Sequence, residues 1–361
     1  MKLFTPGPVY LRREVLEAMS RQVISHRTQE FRSLLRKVVD DLKYVVQTTE
    51  GEVAVLTGSG TLAVESMVYS LIEPGDRVLL LSFGFFGERL RESLIRRGAV
   101  VDVVEAPLGD IVEISDVENA LERRHYKALF TVFTETSTGV TLRELKRIAE
   151  LAKKYGLLVC VDAISAIGGE EFYMDRWCID AVAGCSQKCI GAPPGVSFVA
   201  LSPEAIKVAE KVRGKPIYMD LTRYIKYVHE RSETPYTPAI NVLYGLETAL
   251  QILKEEGLEG RWRRFRYLTD LLYERVKTIE FTRFPRFEVR SSTVAVLKVP
   301  SDLSAKSIVK TLREEFGIVV ARGLGILENS VIRVGVMGYI AEEDIEYLVS
   351  GLKACIDILR S

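Results

Sequence analysis

Lys188 stands in the run Gly184-Cys185-Ser186-Gln187-Lys188-Cys189-Ile190-Gly191-Ala192-Pro193-Pro194-Gly195, after small and polar residues and before a turn rich in Gly and Pro. Upstream, the apolar run Val159-Cys160-Val161 ends in a lone acid, Asp162, followed by Ala163-Ile164-Ser165. A lysine is ordinarily a solvated surface residue. At a strand end next to a buried acid it has a chemical use. Its amine can form a Schiff base with an aldehyde, and the acid can keep a ring nitrogen protonated. Those are the two groups that pyridoxal phosphate requires of a protein.

Other segments could complete such a site, and each has a plainer reading. Thr57-Gly58-Ser59-Gly60-Thr61 joins a strand-like run to a helical one. Its glycines allow close approach, a helix N-terminus presents free N–H groups, and Ser59 and Thr61 add hydroxyls, so it can cradle a phosphate. It also reads as an ordinary turn with a hydroxyl cap. It lacks the Lys of a Walker loop and the third Gly of a dinucleotide fingerprint. In Ser82-Phe83-Gly84-Phe85-Phe86-Gly87 an aromatic could stack on a flat heterocycle or simply fill core. Glu135-Thr136-Ser137-Thr138-Gly139 offers small hydroxyls to a polar ligand edge, or forms a turn. Arg333 interrupts the apolar run Val331-Ile332-Arg333-Val334-Gly335. If buried, a guanidinium there needs a carboxylate, from a substrate held by its fork or from a structural ion pair; the plainer alternative is that it stands on an exposed face.

The elements that would position these groups follow from periodicity. From Val53 to about Leu201, short β-branched runs alternate with helical ones. Strands are expected at Val53–Thr57, Arg77–Leu81, Val100–Val104, Ala128–Val132 and Leu157–Val161. Helices are expected at Gly60–Ile72, Glu88–Arg97, Asp116–Arg124 and Leu142–Tyr155. This alternation predicts a mostly parallel sheet covered by helices, with ligands beyond the carboxyl ends of its strands. The loops 57–61, 135–139 and 162–165 fall there. Later residues predict long helices over Asn241–Glu256 and Leu258–Ile279, strands at Thr293–Val299 and Val331–Val334, and helices at Ala305–Phe316 and Glu342–Leu359. They read as a second, smaller α+β domain from about residue 246 that takes in the first dozen residues.

Composition bounds the rest. The chain has 361 residues, 47% hydrophobic and 27% charged, which suits an ordinary globular protein of about two domains at ~150 residues each. Lys and Arg balance Asp and Glu at 49 each, so no basic field draws nucleic acid or anionic membrane. No apolar run is long enough to span a membrane, and the start Met1-Lys2-Leu3-Phe4-Thr5-Pro6-Gly7-Pro8 has no apolar signal region. The five scattered cysteines, Cys160, Cys178, Cys185, Cys189 and Cys355, suggest reduced thiols and a cytoplasmic location. Cys185 and Cys189 have no second ligand pair, so no metal is expected. Asn occurs three times and Gln five among abundant Glu, Lys and Arg, a leaning towards a thermophilic source.

Together the motifs resemble the class V, fold-type-I enzymes of pyridoxal phosphate, and most closely the alanine–glyoxylate and serine–pyruvate aminotransferases. The resemblance runs nearly end to end, through Thr5-Pro6-Gly7-Pro8, Thr57–Thr61, the Phe86 region, Glu135–Val140, Val161-Asp162, Ser186-Gln187-Lys188, Ala192–Gly195, Thr234-Pro235-Tyr236-Thr237 and Ile332–Gly335. It implies an α/β fold like that of aspartate aminotransferase. A large cofactor-binding domain over 15–245 would carry a mostly parallel seven-stranded sheet, and 246–361 with 1–14 would form a smaller α+β domain. It implies that Lys188 is the Schiff-base lysine and Asp162 the partner of the pyridinium nitrogen. Ser59, Gly60, Thr61 and Gln187 would serve the phosphate, Phe86 would stack on the ring, Ser137 would face the phenolic oxygen, and Ile164 would line the cofactor. Thr237 would reach the phosphate in the partner subunit, giving a homodimer with composite sites. Arg333 would bind the substrate carboxylate.

The implied reaction is ping-pong transfer of an amino group from a small amino acid to a 2-oxo acid such as glyoxylate or pyruvate. A second reading is an aspartate or phosphoserine aminotransferase using 2-oxoglutarate. Ser25-His26-Arg27 supports it, since it resembles a pair that meets a distal anion in phosphoserine aminotransferases; His26 and Arg27 could equally be interface or loop contacts. A third, a lyase such as a cysteine desulfurase, needs a mobile C-terminal cysteine. The segment 321–330 has none, and Cys355 falls in an expected helix.

Overall fold

The structure, a computed structural model, describes all 361 residues. Seven strands form the central sheet in the order Glu52–Thr57, Val196–Leu201, Ala181–Cys185, Leu158–Asp162, Ala128–Val132, Arg77–Ser82 and Val100–Glu105. Only Val196–Leu201 runs antiparallel to its neighbours; the other pairings are parallel. The mostly parallel sheet expected from the alternating pattern is therefore present, with the seven strands that the resemblance implies; Ala181–Cys185 and Val196–Leu201 are not among the strands expected from periodicity.

Both sheet faces are buried, and residues alternate between them as a pleat requires. Val53, Val55, Leu79, Leu81, Leu129, Val159 and Val161 belong to one core. Ala54, Leu56, Val78, Leu80, Phe130, Leu158 and Cys160 belong to the other. The first core is covered partly by the Gln29–Val46 helix, whose Thr28 cap accepts from the Phe31 N–H. The Gly60–Leu71 helix covers the opposite face. The six mutually parallel strands place their carboxyl ends along one edge, and that edge carries the site.

A four-stranded antiparallel sheet follows, in the order Thr282–Arg283, Val294–Lys298, Val331–Gly335 and Ala321–Arg322. With the helices Ala305–Phe316 and Glu342–Arg360 it encloses a third core that includes Phe4. The N-terminal strand Lys2–Leu3 pairs with Ile318–Val319. The Ile240–Glu256 helix spans residues 245 and 246 and buries Leu243, Leu246, Leu250 and Leu253 in the first core.

Element ends differ from expectation where local pairing intervenes. The helix expected at Glu88 begins at Phe85. The one expected at Leu142 begins at Leu145, because Val140–Thr141 pairs with Thr134–Glu135 in a short hairpin. The helix from Leu258 is α-helical to Val276 and closes with a 3-10 turn. The helices Arg13–Met19, Gln29–Val46, Pro203–Lys211 and Leu221–Arg231 have no counterpart among the expected elements. All five cysteines are unpaired thiols, and no helix is long and apolar enough to cross a membrane.

Candidate active site

A cavity of about 170 Å³ opens at the carboxyl edge of the central sheet. Its wall includes Ser59, Gly60, Thr61, Phe86, Asp162, Ile164, Gln187 and Lys188, so eight of the expected residues meet there. The strands explain the convergence. Ser59 follows Glu52–Thr57, Phe86 follows Arg77–Ser82, Asp162 ends its own strand, and Lys188 follows Ala181–Cys185. A larger cavity of about 610 Å³ lies between the N-terminal segment and the two long helices from Ile240 and Leu258. It contains none of these groups, and chemistry rather than size identifies the site.

Lys188 Nζ donates to the Pro6 carbonyl at 2.5 Å and to Ser165 Oγ at 3.3 Å. Burial lowers the pKa of its amine. The N-terminal segment lies directly on this side chain. A Cβ on Gly7 would come within 2.6 Å of Lys188 Cδ, and Gly7 has φ +100°, so glycine is required there on both grounds. Asp162 accepts the Ile164 N–H at 3.0 Å. Burial is the main cause that pushes its carboxyl up to about 6, and the nearby Glu135 charge adds to it. The Ile164 hydrogen bond and the charge of Lys188 act the other way.

Ser59 is the N-cap of the Gly60–Leu71 helix, yet its hydroxyl makes no capping bond. Gly60 packs under Ile164: a Cβ there would lie 2.6 Å from Ile164 Cδ1, and that side chain would have to shift. The Gln187 side-chain oxygen is buried without a hydrogen-bond partner. Arg333 is also buried. Its Nε donates to the Arg322 carbonyl at 2.7 Å, and burial pushes its guanidinium down to about 10. It makes no ion pair with any carboxylate of the chain, so the structural salt bridge that the sequence left open is absent.

Five expected residues are off the cavity wall: Arg333, three others that lie elsewhere, and Ser137, which is turned away. Arg27 donates to Glu233 at 2.6 Å and to the Thr234 carbonyl at 2.9 Å. His26 packs edge-on against Phe31, and its pKa is lowered by burial and by Arg27. Thr237 is exposed two residues beyond Pro235 and is not on the cavity wall. Ser137 Oγ donates to Glu135 at 2.6 Å and accepts the Phe85 N–H at 3.0 Å. It borders a neighbouring cleft rather than this cavity.

Several residues at the cavity are not among those the sequence singles out. Thr136 Oγ1 bonds Ser165 Oγ at 2.5 Å, so a chain of hydroxyls leads from Lys188 Nζ. Arg89 lines the cavity with its guanidinium 4.8 Å from the Phe86 ring centroid and has no acidic partner. Glu135, between the wall residues Thr134 and Thr136, is fully buried and not itself on the wall. Helical spacing is the one signal for Arg89, three residues after Phe86. Nothing local marks Ser165 or Glu135 apart from membership in the two suspected loops.

Known proteins resemble this chain along its whole length. The model of the family described as aminotransferase class-V matches residues 6–348. An alanine–glyoxylate aminotransferase of Mus musculus is 32% identical, over 98% of this chain and 87% of its own. The solved ureidoglycine–glyoxylate aminotransferase of Bacillus subtilis superposes with a TM-score of 0.95 at 30% identity, covering 99% of this chain and 93% of the other. A solved aspartate aminotransferase of Thermus thermophilus, of subgroup IV, gives 0.91 at 32% identity over 99% of both chains. The meeting of Lys188 and Asp162 on one cavity wall agrees with these likenesses, and the chain belongs to the class V aminotransferase family.

Proposed function

We propose that the chain is a pyridoxal-phosphate transaminase that moves the amino group of alanine or serine to a short 2-oxo acid, glyoxylate or pyruvate. The observation that carries this reading is the cavity with half-buried Lys188 and buried Asp162, and near it an arginine that no carboxylate of the chain pairs with. The cavity suits that cofactor. An uncommitted Ser59 hydroxyl and the N–H groups opening the Gly60 helix would meet a phosphate, and Gln187 on the same wall would join them through its side-chain N–H groups. Lys188 would hold the aldehyde carbon, Asp162 the ring nitrogen, and Phe86 with Ile164 the ring faces. A Ser137 contact to the phenolic oxygen requires its hydroxyl to leave Glu135.

When bound, the cofactor supplies an electron sink that makes loss of the Cα proton accessible. The chain's own groups do the rest. Asp162 lies within the sheet edge, where its negative charge favours a protonated ring nitrogen. The lowered basicity of Lys188 leaves more free amine to accept a proton at Cα and return it elsewhere. Arg333 grips the α-carboxylate with two parallel N–H bonds, which fixes the Cα–H bond relative to the ring. Lys188 comes from the central sheet and Arg333 from the four-stranded one, so substrate would bridge the two domains we assign. The packing of Ile240–Glu256 favours a boundary after that helix. We further propose a homodimer in which the exposed Thr237 serves the phosphate of the partner's site.

The likeness to an aspartate aminotransferase favours acidic donors as a second reading. Against it, Arg27 is already engaged by Glu233, which it shares with Arg32. A panel of alanine, serine, aspartate and phosphoserine against glyoxylate, pyruvate and 2-oxoglutarate, followed at the cofactor absorbance, decides. We expect alanine or serine with glyoxylate to lead, and borohydride to fix the cofactor on Lys188. A preference for aspartate with 2-oxoglutarate transfers the assignment to the second reading, and labelling of another lysine overturns the site.

A further inference from the structure

Glu135 is fully buried and forms no ion pair, an expensive arrangement for a carboxylate unless hydrogen bonds replace its water. Four donors do so. Oε2 accepts the Phe86 and Gly87 N–H groups at 3.0 and 3.1 Å. Oε1 accepts the Ser137 N–H at 3.0 Å and its hydroxyl at 2.6 Å. Phe86 and Gly87 lie in the first turn of the Phe85–Arg97 helix, where N–H groups have no partner within the helix and the helix dipole favours an anion. The N-cap of that helix is Gly84, which has no side chain to offer. A Cβ there would also lie 2.6 Å from Glu135 Cδ, so the glycine makes room for a cap supplied by the hairpin.

The capped residue is Phe86, whose ring stands on the cavity wall. We propose that Glu135 is a positioning residue of this site: it holds the first turn of the helix so that the Phe86 ring is presented to the bound cofactor. The inference rests on the reading that the cavity takes pyridoxal phosphate. Burial pushes the Glu135 carboxyl upward while the four donors hold it down, so the hydrogen bonds limit the burial penalty without removing it.

The test is equilibrium binding of pyridoxal phosphate to cofactor-stripped wild type, Glu135→Gln, Glu135→Asp, Phe86→Leu and the double variant Glu135→Gln/Phe86→Leu. An amide turns an N–H group towards donors that need an acceptor. We expect the dissociation constant of Glu135→Gln to rise about ten- to a hundredfold, with altered visible circular dichroism of the bound cofactor. In the Phe86→Leu background the same change should add less than about threefold, because both substitutions remove one interaction. Unchanged affinity and dichroism, or full additivity, overturns the proposal and leaves the function reading standing. Wild type that binds no pyridoxal phosphate removes both. Should Glu135→Gln fail to fold, Glu135→Asp decides the matter: it keeps the charge but is one methylene short of the Phe86 N–H. Its binding should weaken about fivefold, and wild-type affinity in it would refute the role.

Discussion

Asp162 and Glu233 are both buried carboxylates with cationic side chains nearby, and the chain treats them in opposite ways. Asp162 has one hydrogen-bond donor, the Ile164 N–H, and no cation in contact. Burial prevails, and its carboxyl rises to about 6. Glu233 receives Arg32 through bonds of 3.1 and 2.7 Å and Arg27 at 2.6 Å. Those hydrogen bonds, from Arg32 first, hold its carboxyl below the usual range. A buried charge matched inside the chain is committed to the fold. One left unmatched costs stability and is available to a bound molecule. Lys188 and Arg333 fall with Asp162, whereas Arg27 falls with Glu233.

The largest test of this division compares the two arginines. Arg333→Ala removes a fork that meets no carboxylate of the chain. With alanine or serine as donor, kcat/KM should fall about a thousandfold, about 4 kcal/mol, while the cofactor stays bound. Arg27→Ala should change the same quantity by less than about threefold. Steady-state rates with the cofactor absorbance recorded alongside measure both. Equal losses in the two variants break the comparison.

The second test is pH. In the cofactor-free protein the raised carboxyl of Asp162 binds its proton more tightly than in the unfolded chain. Its contribution to stability is therefore fully present below the unfolded value and lost as pH rises through about 6. A shift of this size corresponds to about 3 kcal/mol. Asp162→Asn should be the more stable protein by up to about that amount above pH 7, with the gap closing towards pH 4. Denaturant midpoints at a series of pH values measure it. A variant less stable than wild type at pH 8 would show that Asp162 is matched after all.

How much of this is legible in the sequence depends on distance along the chain. Five strands of the central sheet are readable because β-branched runs alternate with helical ones from Val53 onward, whereas Ala181–Cys185 and Val196–Leu201 follow Leu158–Asp162 with no helix between them and are not among the expected strands. The cavity residues are readable because Ser59, Asp162 and Lys188 sit just beyond such runs. What escapes depends on contacts between distant segments. Pro6 meets Lys188 only because the N-terminal segment crosses the site. Glu135 looks like part of a polar turn until the Phe85 helix is seen above it. The fate of Arg27 depends on a bond to Glu233, 206 residues away. One unexpected helix is an exception: in Gln29–Val46 the buried Phe31, Leu34, Leu35, Val38, Val39, Leu42, Val45 and Val46 recur at helical spacing, so its periodicity is legible locally although it is not among the expected elements.

The smallest effect belongs to the matched side. Glu233→Gln keeps the size of the side chain but removes the charge that Arg27 and Arg32 share. Those two arginines remain 41% and 38% exposed, so water and salt screen most of the loss. Stability at pH 7 should fall by about 1 kcal/mol. The sign against pH is the reverse of that for Asp162. A depressed carboxyl contributes above its unfolded value and loses that contribution as pH falls through the lower folded one, so the gap between wild type and Glu233→Gln should shrink on acidification. It should shrink also in molar salt. The freed Arg27 adds a sharper reading. If it were held in reserve for a distal anion, Glu233→Gln would raise turnover of aspartate or phosphoserine relative to alanine. Unaltered donor preference keeps Arg27 with the fold, and a shift of about tenfold or more moves it to the unmatched, ligand-binding class.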